Sequence, residues 1–109
     1  MAILKENPSL KDYQNYIKQV TKERGWDSNN DLEIFLLLQE EIGELAKAIR
    51  NYRGLYHEKG KEIRVNLEEE FADVLNYIFD LANYFDIDLD KAFREKEKKN
   101  AKRTWENKK

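Results

Sequence analysis

Two pairs of acidic residues, each spaced three residues apart, lie on segments with helical periodicity. The first pair is Glu41 and Glu44, and the second is Glu70 and Asp73. Residues three apart lie on the same side of a helix, so each pair presents two carboxylates in one direction. If the two helices pack together, four carboxylates converge, and a divalent cation with oxygen ligands, such as Mg²⁺, would relieve their repulsion.

Glu41 is the most informative of these residues because it falls inside an apolar helical face, between Leu38 and Leu45. A carboxylate among leucines is disfavoured unless its charge is compensated. A bound cation could provide that compensation, and so could a Lys or Arg from a neighbouring helix. Many acidic pairs on helices are simply solvated. The spacing therefore indicates a carboxylate metal site and leaves a structural ion pair open.

Helix signals divide the chain into four segments. The predicted helices run from a Ser9 cap with Asp12 to about Arg24, from Asp31 to Arg53 before Gly54, from an Asn66–Glu69 capping box to about Phe85, and from an Asp88 cap to about Trp105. Short connections favour antiparallel neighbours. The sequence thus predicts an all-α, antiparallel bundle of about four helices in one domain, residues 1–109.

The second and third predicted helices each carry a broad apolar face. These faces comprise Ile34, Leu37, Leu38, Ile42, Leu45, Ala48, Ile49 and Tyr52, then Leu67, Phe71, Val74, Leu75, Ile78, Leu81, Ala82 and Phe85. Apolar residues make up only 40% of the chain and charged residues 39%. Such a lean core suits a protein whose core is completed by dimerisation.

Composition excludes several classes of site and location. The chain has no cysteine and a single histidine, His57, so disulfides, thiolate chemistry and zinc or di-iron sites with several imidazoles are excluded. No apolar run approaches the roughly 20 residues that span a membrane, and residues 1–10 lack the apolar core of a signal peptide. We expect a cytoplasmic protein without a membrane partner.

Charge is divided unevenly along the chain. Residues 91–109 carry nine Lys or Arg and three Glu, a net charge of about +6, whereas the rest of the chain is acidic. A run of this kind is usually a solvated helix, but it could also hold phosphates opposite a metal site. The charge is modest and lacks interleaved aromatic residues, which argues against nucleic acid as a partner.

At these residues the sequence resembles a known family, the MazG-like nucleotide pyrophosphohydrolases of the all-α NTP pyrophosphatase superfamily. Residues 38–45, LQEEIGEL, and 67–75, LEEEFADVL, resemble the family's E-x-x-E and E-x-x-D elements. Residues 96–103 resemble its K-x-x-K-N-x-x-R element, and Arg24-Gly25-Trp26 resembles the family's approach to the second helix. The resemblance covers roughly residues 24–103.

The resemblance implies hydrolysis of a nucleoside triphosphate to a monophosphate and pyrophosphate, in nucleotide-pool housecleaning, by a homodimer or homotetramer. It implies Mg²⁺, with Mn²⁺ as a substitute, held by Glu41, Glu44, Glu70 and Asp73. Glu40 would position the attacking water beside Glu41. It further implies that the substrate is bound by Lys96, Lys99, Asn100, Arg103, Asn76 and Trp26.

Two alternatives remain open on the sequence. One is a relative with a narrower substrate, such as dUTP, dCTP or phosphoribosyl-ATP. The other is a non-catalytic, metal-binding helical interaction module. Asn76 could instead be a solvated helix residue, and Trp26 could be a core plug at a helix start.

Overall fold

A computed structural model shows four α-helices in the order expected from the sequence, and it describes residues 1–56, 59–60 and 66–104. The helices are α1 (Leu10–Glu23), α2 (Asp31–Tyr52), α3 (Leu67–Tyr84) and α4 (Leu89–Lys102). No strand occurs in these described ranges, which confirms the all-α prediction. His57 and Trp105 lie outside them. No helix of the described part is long and apolar enough to cross a membrane.

Side-chain caps set the starts of three helices. Ser9 and Asp12 form a capping box at α1, with the Asp12 amide donating to Ser9 Oγ over 3.1 Å. Asn30 and Glu33 form another at α2. The Asp88 carboxylate accepts from the Lys91 amide at α4. Because these side chains satisfy amides that the helix leaves unpaired, they fix where each helix begins.

Two boundary predictions were wrong. Asn66 makes no side-chain cap bond, since its backbone has φ −140° and ψ 54° and not the extended conformation of an N-cap, so the predicted Asn66–Glu69 capping box is absent. The fourth helix ends at Lys102 and does not continue toward residue 105. Arg103 has an extended backbone, and its amide donates to the Asn100 carbonyl in a tighter turn that ends the helical pattern.

The α2 and α3 helices form the centre of the fold and run antiparallel, because early residues of α2 neighbour late residues of α3. Their shared core is small. The buried apolar side chains of the described residues are Val20, Ile34, Leu38, Ala48, Phe79 and Ala82. The α1 helix covers α3 through a stacked pair of rings, Tyr13 and Phe79, with centroids 5.7 Å apart.

Gln14 ties α1 to the turn that leads into α4. Its buried amide nitrogen donates to Asn83 Oδ1 over 3.2 Å and to the Ile87 carbonyl over 2.8 Å, and its oxygen accepts from the Leu89 amide over 2.8 Å. In that turn Asp86 has a positive φ of 56°. The network fixes the start of α4, which packs chiefly against α1 and buries no residue.

The chain is more open than a compact monomer of its size. Its radius of gyration is 17.5 Å, against about 13 Å for a compact chain of this length. Much of the predicted apolar face is exposed, including Ile42 and Ile49 on α2 and Phe71 and Leu75 on α3. One chain therefore leaves part of its apolar surface in water.

Candidate active site

Three carboxylates meet where the middle of α2 crosses the first two turns of α3. Glu41, Glu70 and Asp73 each offer one oxygen, and these three oxygens lie within 4.8 Å of one another. We call these three residues the acidic cluster. Glu70 and Asp73 share a helix face because they are three residues apart, and Glu41 reaches them because it lies one turn beyond the buried Leu38.

Burial and mutual repulsion make the acidic cluster costly to keep charged. Glu41 is half-buried, and its pKa is raised first by burial and then by the negative charges of Asp73 and Glu70. Further, smaller contributions come from Glu40 and Glu44. No cation figures among these causes. The structure thus argues against the alternative that a Lys or Arg within the described chain neutralises Glu41.

Glu70 carries the most direct sign of a missing positive partner. Its Oε2 atom is buried and, within the described chain, has no hydrogen-bond partner. Burial raises the pKa of Glu70, and so do the charges of Asp73, Glu44 and Glu69. A buried carboxylate oxygen without a donor is unfavourable, and oxygen-only donor sets suit Mg²⁺, Mn²⁺ or Ca²⁺. The acidic cluster therefore fits a divalent cation.

The remaining acidic candidates lie around the cluster. Glu44 is exposed and outside the three-oxygen group, but its charge raises the pKa of both Glu41 and Glu70. Glu40 is exposed beside Glu41. Because both side chains are exposed, each can change rotamer without rearranging the helix.

Two α3 residues near the cluster are functional candidates that the sequence reasoning did not select. Tyr77 is half-buried, and its pKa is raised first by burial and then by the charges of Glu41, Asp80 and Asp73. Asp80 is half-buried, and burial raises its pKa. The available signal was spacing, since Tyr77 and Asp80 lie one and two turns beyond Asp73 on the same face.

The predicted nucleoside contacts lie on α3 and before α2. Asn76 is half-buried on α3, one turn beyond Asp73. Trp26 is 50% exposed, so it is not a core plug. The Arg24 guanidinium lies 5.1 Å from the centroid of the Trp26 ring, a cation–π contact that leaves much of the aromatic surface open to a ligand.

The predicted phosphate contacts lie on α4 or directly after it. Lys96 and Lys99 are exposed, Asn100 is half-buried, and Arg103 is exposed beyond the end of the helix. None of these cations contributes to the pKa shifts of Glu41 or Glu70. Because α4 packs chiefly against α1, one chain does not bring the basic element onto its own acidic cluster.

Comparison with known proteins identifies the class. A sequence model of the MazG nucleotide pyrophosphohydrolase domain matches residues 30–106, a range that contains the acidic cluster, Glu44 and the basic residues of α4. The chain therefore belongs to the MazG nucleotide pyrophosphohydrolase family, as the resemblance implied.

Individual relatives agree with this membership. The chain is 32% identical to YvdC of Bacillus subtilis (strain 168), an uncharacterized protein, across 86% of this chain and 94% of YvdC. It is 39% identical to YpjD of the same organism, also uncharacterized, across 56% of this chain and 55% of YpjD. The crystal structure of Bacillus subtilis YPJD, proposed to be a pyrophosphatase, superimposes with a TM-score of 0.76 at 29% identity, covering 92% of this chain and 100% of that one.

Proposed function

We propose that the protein is a Mg²⁺-dependent pyrophosphohydrolase that converts nucleoside triphosphates, ribo or deoxy, to monophosphates and pyrophosphate. Its role would be the housecleaning of nucleotide pools, with Mn²⁺ able to replace Mg²⁺. The observation that carries the proposal is the acidic cluster with its unpartnered Glu70 oxygen, in a chain that belongs to the MazG family.

Water attacks the α-phosphorus, and the bond from that phosphorus to the oxygen bridging to the β-phosphate breaks. Glu41, Glu70 and Asp73 would hold the cation, and Glu44 would be available beside them as a further oxygen ligand. When bound, Mg²⁺ would supply positive charge next to the phosphate and lower the pKa of a water that it binds. Glu40 orients the attacking water by accepting a hydrogen bond from it.

The remaining candidates bind the substrate. Lys96, Lys99 and Arg103 donate to phosphate oxygens, where fixed cations stabilise developing negative charge, and Asn100 donates to a phosphate or the sugar. Asn76 donates to the nucleotide from the face of α3 that follows Asp73. Trp26 offers its exposed ring to the base, since a ring beside a site entrance can stack on a heterocycle.

The active form in this proposal is a homodimer or a dimer of dimers. Heptad spacing relates the exposed Phe35, Ile42 and Ile49 on α2, and also Phe71 and Ile78 on α3. Stripes of this kind pack against a second copy in helical assemblies. A second copy would cover this surface, and its α4 could supply cations that the described part of one chain does not place at the acidic cluster.

Hydrolysis in heavy-oxygen water tests the reaction directly. Purified protein is incubated with Mg²⁺ and a panel of canonical and damaged ribo- and deoxynucleoside triphosphates. The products are then separated, and their masses are measured by mass spectrometry. Attack at the α-phosphorus places the label in the monophosphate and leaves pyrophosphate unlabelled. Label in pyrophosphate, or release of single phosphates, would contradict the proposed reaction.

The panel also separates the proposal from its nearest alternatives. Turnover of only dUTP, dCTP or phosphoribosyl-ATP would identify a narrow-substrate relative with the same chemistry. An oligomeric protein that binds Mg²⁺ but turns over no triphosphate would instead be a non-catalytic, metal-binding helical module.

A further inference from the structure

A second feature of the α2–α3 groove lies beyond the acidic cluster, at the end where α2 begins and α3 finishes. A cavity of about 250 Å³ opens there between α1, the loop after it and these two helices. Its lining includes Trp26 and Tyr84 as aromatic walls, Asp80 on α3, and Lys18 and Lys22 on α1. The volume is below the roughly 300–1,000 Å³ of pockets for drug-sized ligands, so the cavity suits a small planar group.

Asp80 is the unusual residue of this cavity. It is half-buried, and burial raises its pKa. The two lysines that line the same cavity are not within 4.0 Å of its carboxylate, and no N–H group in the described part of the chain donates to it. Because Asp80 lines the cavity, its carboxylate can accept hydrogen bonds from N–H groups of a ligand bound there.

The distance between the cavity and the acidic cluster limits the length of a ligand that could reach both. Asp80 lies seven residues beyond Asp73 on the same face of α3, and Ile34, which also lines the cavity, lies seven residues before Glu41 on α2. Seven helical residues span about 10 Å. Tyr77 lies between Asp73 and Asp80 on this face of α3, and the charges of Glu41 and Asp80 both raise its pKa.

That separation matches an extended nucleotide. When the α-phosphate lies at the acidic cluster, the sugar passes Tyr77, and the hydrogen-bonding edge of the base reaches the cavity. Trp26 and Tyr84 then flank the base with aromatic surface, which favours a planar heterocycle of any kind. Aromatic walls give affinity, but they do not distinguish one base from another.

We propose that Asp80 reads the base of the substrate and selects cytosine and adenine nucleotides, which carry an amino group at C4 or C6, over uracil, thymine and guanine nucleotides, which carry a carbonyl at the equivalent position. This inference rests on the proposed function and names a specificity residue for it. The 4-amino group of cytosine and the 6-amino group of adenine each offer N–H donors to a carboxylate. Uracil, thymine and guanine instead place a carbonyl oxygen at that position, and two acceptors facing each other leave both unsatisfied.

Binding of nucleoside monophosphates tests the inference without requiring turnover. The matched probes are dCMP and dUMP, which differ at the 4-position in carrying an amino group or a carbonyl oxygen. Calorimetry with wild-type protein and Mg²⁺ should show dCMP bound at least about tenfold more tightly than dUMP, as one hydrogen bond to a charged group provides. Equal affinities, or a preference for dUMP, would overturn the inference.

Two variants test whether Asp80 causes the preference for dCMP over dUMP. Asp80→Asn places an amide in the cavity that can donate to a carbonyl oxygen, so the preference for dCMP should fall by about tenfold. Asp86→Asn is the matched control, because Asp86 is exposed outside the cavity and has a positive φ that Asn adopts well. An Asp80→Asn protein with the wild-type preference would show that Asp80 does not read the base.

The same readout separates this inference from the proposed function. If the enzyme releases pyrophosphate but Asp80→Asn leaves the dCMP to dUMP ratio unchanged, only the base-reading role fails. If no triphosphate is hydrolysed but the ratio changes as expected, the cavity is a base site in a protein with another activity. Asp80→Asn removes a half-buried charge that burial disfavours, so the variant should keep the wild-type fold, which circular dichroism checks.

Discussion

A carboxylate oxygen of Glu41 on α2 lies within 4.8 Å of one from Asp73 on α3. The negative charge of Asp73 is the largest electrostatic cause of the raised Glu41 pKa. Helix packing thus holds like charges together where water is partly excluded. Such repulsion is tolerated in a folded protein when a bound cation offsets it.

The metal-free protein should become more stable when the Glu41 charge is removed. The Glu41 pKa is raised in the folded state above its usual 4.5, so the folded chain binds more protons than the unfolded chain just above that pH. Stability from this residue therefore falls as pH rises through the interval between the two pKa values. Chelator-treated Glu41→Gln protein should unfold at higher temperature than wild type, with a gap that opens from about pH 4.5 upward.

Glu95→Gln is the control, because Glu95 is exposed on α4 away from the acidic cluster. It should follow the wild-type curve of unfolding temperature against pH. Added Mg²⁺ should raise the unfolding temperature of wild type and leave Glu41→Gln almost unchanged. A Glu41→Gln protein less stable than wild type without metal would show that a protein cation compensates Glu41.

The basic residues of α4 should act on the phosphates. Lys99→Gln should lower kcat/KM by at least about tenfold, since a charge-assisted hydrogen bond to phosphate is lost. Lys98→Gln, at a neighbouring exposed lysine that occupies an x position of the K-x-x-K-N-x-x-R element, should keep near wild-type kcat/KM. Equal effects of the two substitutions would indicate a general charge effect on a solvated helix.

Mixing two impaired variants tests whether α4 acts across the dimer. In a Glu41→Gln and Lys99→Gln heterodimer, action on the partner's cluster leaves one site with both residues intact. A one-to-one mixture should then recover about a quarter of wild-type activity, because half of the dimers are mixed and half of their sites are whole. No recovery after verified subunit exchange would place Lys99 at the acidic cluster of its own chain.

Assembly should depend on the exposed apolar stripe of α3. Ile78 is 40% exposed in one chain, in register with Phe71, so Ile78→Lys should dissociate the oligomer by placing a charge in a buried interface. Light scattering after size exclusion should report a mass of about 13 kDa for this variant and a multiple of it for wild type. Ile3→Lys, at an 83% exposed position, is the control, and a monomeric wild type would contradict the account.

Gln14 should be the most sensitive polar residue outside the site. It is 5% exposed and makes three side-chain hydrogen bonds that join α1 to the end of α3, to the turn after it and to the start of α4. Gln14→Ala should cost about 2–4 kcal/mol of unfolding free energy, because buried groups of the turn lose their partners. Chemical denaturation measures this, and exposed Gln19→Ala should cost less than about 0.5 kcal/mol.

Sequence was sufficient for the helices because each carries a strong local signal. Ser9, Asp12 and Asp88 form caps whose effect extends over one turn. The periodic apolar faces indicate how far the helices extend. The signal was misleading at Asn66, where a suitable residue type does not adopt the cap conformation. Residue spacing predicts a helix start reliably only when the residue before the helix also adopts the extended backbone conformation of an N-cap.

The site was partly predictable for a related reason. Glu41 stood out because it interrupts an apolar face, and the structure brings it to Glu70 and Asp73. Asp80 did not stand out, because the cavity that it lines is also formed by α1 and the loop before α2, which no pattern within α3 encodes. Long-range packing determines the surroundings of such residues. It also determines the placement of α4 against α1.

The most direct test of the account is pyrophosphate release with increasing Mg²⁺ by wild type, Glu41→Gln, Asp73→Asn and the Glu95→Gln control. We expect wild type and the control to form monophosphate and pyrophosphate in a Mg²⁺-dependent manner, and the two cluster variants to lose at least about a hundredfold in kcat. Wild-type rates in either cluster variant, or full activity without any divalent cation, would contradict the claim that the acidic cluster is the catalytic metal site.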